Sequence, residues 1–232
     1  MAELSYYDYP PFTGFSAEGI DLLKKLKKNN RREWLTDERK EVLKNELMLP
    51  MELLLADIGR RAYEKGVQWN PNPKKSIFRI YRDTRFSKEK KPFKTNIGAT
   101  LPYADEPKKG IGCYIHVEPG SSFFGAGGYF IEGEGLKNLR TRIEQDPVGA
   151  RKVLKSVEKK FAPIQGEQLK RAPVGYDPEH PAIDLLRYKQ FWTMREIPDE
   201  LIVSPKLPQE LFKHSLALHD FCTWLYEGTR GL

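Results

Sequence analysis

Between Lys74 and Lys94 the chain sets nine basic side chains against two acidic ones, an excess of seven that equals the formal net charge of the whole 232-residue protein, +7. The rest of the chain is balanced, so the positive field is focused on one stretch. Such a field attracts phosphate, carboxylate or nucleic acid. Within it, Arg79, Arg82 and Arg85 surround Asp83, whose carboxylate can fix a guanidinium fork so that the remaining donors face outward. Lys88, Lys90 and Lys91 follow in a turn closed by Pro92, and Lys94 and Asn96 come after it. The bland alternative for this stretch is a charged edge strand whose lysine turn discourages sheet-to-sheet pairing.

A second set of reactive types lies downstream. Tyr114, His116 and Glu118 alternate with Cys113, Ile115 and Val117, and on a strand residues two apart share a face. His116 is the best-placed general base, with Glu118 or Asp83 able to orient its ring. His180, before a proline at a helix start, could approach the sheet from another element or simply bond its own turn. For a metal, His116 and Glu118 with either His180 or Asp83 are too few ligands to make a site, so no metal and no cofactor is expected. Cys113 falls on the apolar side of its strand and Cys222 on a helix face, so neither reads as activated, and no G-x-S-x-G elbow occurs. The glycine-rich Phe124 to Tyr129 matches neither G-x-G-x-x-G nor the P-loop; its glycines read as a bulge or sharp strand twist.

These residues need a frame. Ser16 reads as the N-cap of a first helix with Ile20, Leu22, Leu23 and Leu26 on its apolar side and lysines at its end, a solvated face. Asn30 with Glu33 resembles a capping box for a second helix, and Pro50 kinks it or opens a third. Strands are expected at about 77–85, 93–101, 111–118 and 122–131, joined by short connections and therefore antiparallel. Phe78 and Ile80 then point into a core. If the registers agree, Arg79, Tyr81, Asp83, Arg85, Lys94, Asn96, Tyr114, His116 and Glu118 line one polar surface. Helices at about 133–144 and 147–161 follow, then a short strand or hairpin at 169–173 and a helix opened by Pro181. Another strand is expected at 191–195 and a last helix at about 208–226. The fold class is α+β, a mainly antiparallel sheet of four or more strands flanked by N-terminal and C-terminal helices. One domain is expected over 1–232, with a helical part at about 16–66, the sheet at about 75–131 and a mixed C-terminal part at about 133–228.

The central stretch, read as R-I-x-R-D-x-R-F-S-K-x-K-x-P-[FY]-K-T, resembles the signature of an uncharacterised, mainly bacterial family, a domain of unknown function. Phe12-Thr13-Gly14-Phe15, Asn29-Asn30-Arg31, Gly112 to Gly120, Phe124 to Gly128 and Arg171 to Tyr176 match as well, as does Asp177 to Pro181 leading to Lys189. The likeness spans about Phe12 to Phe191 and departs slightly at Glu89, where the family has Asp. It implies a single α+β domain and no known activity, so no catalytic residue is carried over.

Aromatics at 12% argue against disorder. Two distant cysteines outside any C-x-x-C pattern fit reduced thiols rather than a disulfide framework. The first residues carry no basic-then-apolar leader, and no apolar run reaches bilayer length. A cytoplasmic protein without a membrane partner is expected. The residues point to a small anionic, phosphorylated ligand held by Arg79, Tyr81, Arg82, Arg85, Lys88, Lys94, Asn96, Glu118 and His180, with His116 and Asp83 as proton-handling groups. A nucleic-acid partner on the same stripe is the alternative, and a scaffold with a structural arginine–aspartate network the second. Neither turnover nor oligomeric state is fixed by these residues.

Overall fold

The computed structural model describes residues 5–83, 85 and 90–232. The fold is α+β, built around a four-stranded antiparallel sheet in the order β1 (Ile97–Pro102), β2 (Gly112–Val117), β3 (Phe123–Gly128) and β4 (Phe191–Glu196). The helices are α1 (Ala17–Lys28), α2 (Asp37–Leu43), α3 (Leu49–Lys65), α4 (Gly133–Gln145), α5 (Pro147–Glu158), α6 (Ile183–Leu186), α7 (Asp199–Ile202), α8 (Leu207–Ala217) and α9 (His219–Arg230). None of them is long and apolar enough to cross a membrane. The residues fall into two compact units. The first takes those up to 101 with 114–124 and 196–212; the second takes 102–113, 125–195 and 213–232.

In the first unit, the Ser16 hydroxyl accepts the Gly19 N–H and starts α1, which buries Leu22, Leu23 and Leu26. A π-helical turn at Lys44–Met48 links α2 to α3, and Pro50 is the second residue of α3. Gly66, at φ 69°, ends α3 in the left-handed region that glycine tolerates.

Two expectations are corrected here. Asn30 and Glu33 form no capping box. A 3-10 turn at Arg32–Trp34 follows, and the Asn30 amide instead reaches Phe93, donating to its carbonyl at 2.9 Å and accepting its N–H at 3.0 Å. The strand expected at 77–85 is reduced to two isolated antiparallel bridges, Ile77 with Ala99 and Tyr81 with Phe93. Alternation fails between them: Ile77 and Ile80 are both buried, although three residues apart. Phe78 therefore leaves the core and lies half-buried, its ring centroid 5.9 Å from that of Tyr114.

In the second unit, α4 packs on α9, with Leu139 and Ile143 fully buried. The Asp146 carboxylate caps α5 through the Gly149 N–H. Cys113 and Cys222 are both free and buried here. Gly127 has φ 139°, and a Cβ there would stand 2.0 Å from the Phe191 carbonyl oxygen, so this glycine lets β3 approach β4. The strand or hairpin expected near 169–173 is absent from the described residues; one bridge, Gln168 with Tyr188, marks the place. The expected last helix breaks at Leu218 into α8 and α9.

Candidate functional site

β2 alternates as its sequence requires: Cys113, Ile115 and Val117 are buried, while Tyr114 and His116 stand half-buried on the other face, followed by Glu118. Contacts to the neighbouring segment run antiparallel. Tyr114 lies over Gly98, His116 meets Asn96, and Glu118 meets Thr95. All belong to the first unit.

His116 is the centre. Its Nδ1 lies 3.3 Å from the Asn96 amide nitrogen and 3.3 Å from the Tyr114 hydroxyl, and its Nε2 lies 3.3 Å from Glu118 Oε2. An amide nitrogen can only donate, so Nδ1 accepts and the ring proton sits on Nε2, where it is donated to the carboxylate. The ring stacks on Phe123 at 4.5 Å and 12°, which fixes its plane. Its side chain is 15% exposed and that of Glu118 16%. Burial holds the imidazole below its usual 6.5; Glu118 pulls the other way, and Lys94 adds to the lowering. His116 is therefore neutral at pH 7.

Glu118 is held from three segments. Thr95 Oγ1 donates at 2.8 Å, Lys27 Nζ of α1 lies at 3.3 Å, and His116 completes the set. Burial works to raise its carboxyl, but these hydrogen bonds outweigh it and hold it below the usual 4.5. Burial pushes the Tyr114 phenol above its usual 10.0, against an opposing hydrogen bond from Asn96. At neutral pH the chain of groups is a phenol, a neutral imidazole and a carboxylate. That arrangement can pass a proton from the phenol to His116 Nδ1, with Glu118 stabilising the imidazolium. Lys94 Nζ stands 5.3 Å from the Phe78 ring centroid and places a cation in the same neighbourhood.

The arginine stretch is arranged differently. Asp83 accepts from Arg85 Nε at 3.0 Å and Nη2 at 2.7 Å, a two-point fork, and is lowered to about 2, first by that side-chain bond. The Arg85 side chain is 77% exposed. Arg79 and Arg82 are exposed as well, and Tyr81, also exposed, leans on Phe93 at a centroid distance of 5.3 Å. The orienting carboxylate of His116 is Glu118, while Asp83 is engaged with Arg85. Lys88 lies outside the described residues. His180 belongs to the second unit, where its Nδ1 accepts the Ala182 N–H ahead of α6, the turn bond that was its simpler reading.

Of the expected polar surface, then, Lys94, Asn96, Tyr114, His116 and Glu118 come together, whereas Arg79, Tyr81, Asp83 and Arg85 are exposed. Among the described residues, no group of three or more His, Cys, Asp or Glu is placed to hold a metal. Sequence reasoning missed Lys27 and Thr95 as partners of Glu118. Lys27 sits in a lysine run that reads as solvated, and only the tertiary fold brings it across. It also missed Gly98, for which the signal was a glycine inside a strand. A family model, "Conserved hypothetical protein (DUF2461)", matches residues 18–224. No curated protein and no solved structure matches the chain.

Proposed function

For a chain that belongs to the DUF2461 family, whose description carries no activity, we propose a protein that binds a small anionic, phosphorylated ligand on the face of β2. The observation that carries this reading is a neutral, half-buried histidine fixed at both nitrogens, with a lysine beside it. Lys94 supplies charge to the ligand, and Tyr114 and Asn96 supply directional hydrogen bonds. His116 and Glu118 handle a proton. Arg79, Arg82 and Arg85 form the outer field that draws an anion in, and the Asp83 fork keeps Arg85 oriented. Two free buried thiols support a cytoplasmic protein.

One observation favours a polyanion instead: the exposed Tyr81 ring stands against Phe93 among exposed Arg82, Lys90 and Lys91, and such rings stack on bases. Thermal shift separates the two. The protein is melted with inorganic phosphate, sugar phosphates, nucleotides and short single-stranded oligonucleotides, because a ligand of the folded state raises the melting temperature by mass action. A shift with a small phosphate, lost in Lys94→Met and only reduced in Arg85→Ala, supports the site on β2. Shifts with oligonucleotides alone, fading steeply with salt, support the polyanion. No shift with any compound removes both.

A further inference from the structure

We propose that Tyr114 is the nucleophile of this site and that its phenol oxygen attacks the phosphoryl group of the ligand. The inference rests on the phosphorylated-ligand reading and names the chemistry done there. Both nitrogens of His116 are already engaged, Nε2 with Glu118 and Nδ1 with Asn96 and Tyr114. The one lone pair of the ring, on Nδ1, faces the Tyr114 phenol, so His116 is placed to move a proton rather than to attack a ligand. Within this chain of groups, Tyr114 Oη is the atom that can both give its proton to the base and present an oxygen to a substrate.

The arrangement has the parts that activate a weak nucleophile: a hydroxyl within reach of a base, and a third group that orients the base. The third group is unusually constrained, since Glu118 is held by Thr95 and Lys27 as well as by His116. The phenol's place is secured too. An ideal Cβ on Gly98 would lie 2.3 Å from Tyr114 Oη and 2.9 Å from Cζ, so the hydroxyl occupies space that any other residue at 98 would fill. The rings of Phe78 and Phe123 pack against the tyrosine at centroid distances of 5.9 and 5.8 Å. Lys94, over the Phe78 ring, supplies positive charge for the phosphoryl oxygens.

The step balances with substrate and water alone. The Tyr114 Oη–P bond forms as the P–O bond to the leaving group breaks. The phenol proton passes to His116 Nδ1, and the imidazolium, paired with Glu118, gives it to the leaving oxygen. Water then attacks the phosphotyrosine, leaves a proton on His116 Nδ1, and that proton returns to the phenolate as inorganic phosphate departs.

The test uses the full chain and an arylsulfonyl fluoride, which forms an O–S bond with an activated hydroxyl and releases fluoride. Labelled peptides are identified by mass spectrometry. Tyr114 is expected to label faster than Tyr7 and Tyr63, whose side chains are more open at 56% and 73% exposure. His116→Gln is expected to slow that labelling by about a hundredfold. In the unaltered protein the rate should rise with the titration of His116, below the usual imidazole range, and level off near neutrality. That profile tests the idea even where His116→Gln fails to fold. Tyr114 labelling no faster than the two open tyrosines, or a rate that keeps climbing towards the phenol's own pKa, overturns the proposal. For the phosphoryl step, 4-nitrophenyl phosphate is added; release of nitrophenolate that disappears in Tyr114→Phe is expected, and equal release in that variant overturns it. Rapid labelling that inorganic phosphate does not slow removes the anionic-ligand reading and leaves the nucleophile. A thermal shift with phosphate in a protein whose Tyr114 stays unlabelled does the reverse.

Discussion

Two stretches of the first unit carry most of its chemistry, and they use charge in opposite ways. From Arg79 to Lys91 the described charged side chains stand at the surface, and Asp83 with Arg85 forms an open fork. Among Asn96, Tyr114, His116 and Glu118 there is one carboxylate, and each polar group is half-buried with named partners. The first region shapes a field; the second positions atoms. Electrostatic attraction between exposed groups is screened by water and salt, whereas a half-buried hydrogen bond keeps its direction and much of its strength. Exposed charge marks the first region, and convergence of half-buried partners marks the second.

The contrast can be broken or sharpened by substitution. The largest effect is expected at Gly98→Ala, where a methyl would meet the Tyr114 phenol at 2.3 Å. It should destabilise the fold by about 1–3 kcal/mol, read as a lower denaturation midpoint, and also slow labelling of Tyr114. Glu118→Ala comes next. It strands a half-buried histidine N–H and a threonine hydroxyl and should cost about 1–3 kcal/mol; a chemical melt equal to that of the parent protein would show that this carboxylate organises nothing. Asp83→Ala is the counterpart in the other region and should leave the midpoint where it was, since both side chains of its pair face water.

A pH effect of smaller size should follow His116. Its folded pKa lies below the usual 6.5, so between the two values the unfolded chain binds a proton that the folded chain refuses. Stability is full above the unfolded value and falls as pH drops through that window, by at most about 1.4 kcal/mol per pH unit. His116→Gln should flatten the fall, measured as the denaturation midpoint from pH 7.5 to 5. Glu118 acts in a lower window, its share present above 4.5 and lost as pH falls through its depressed folded value. The smallest effect is expected from salt, which should leave the melting temperature of Arg85→Gln unchanged relative to its parent.

Much of the architecture could be read from local signals. Ser16 as a cap, the alternation of Cys113 to Val117, the strand starting near Ser122 and the helices opening at Gly133 and Pro147 are local properties, and the structure has them in place. The α+β class followed from their order. Where local and distant partners compete, local reading failed. Asn30 had a plausible partner three residues away and took Phe93 instead. Phe78 alternated towards the core until a break between Ile77 and Ile80 turned it towards Tyr114. For the site, the face of β2 was legible because alternation is local. Lys27 and Thr95 were not, because their role exists only once α1 and the segment before β1 have found β2.

The Asn30 clamp has a consequence for the chemical lifetime of the molecule. Its amide both donates to the Phe93 carbonyl and accepts the Phe93 N–H, a two-way bond that only a carboxamide supplies. Slow loss of ammonia from that side chain would leave an aspartate, which keeps the accepting half and sets a negative oxygen against the carbonyl. An aged preparation would carry one negative charge more and would lose half of this tether at Phe93, one residue before Lys94, while its helices remained intact.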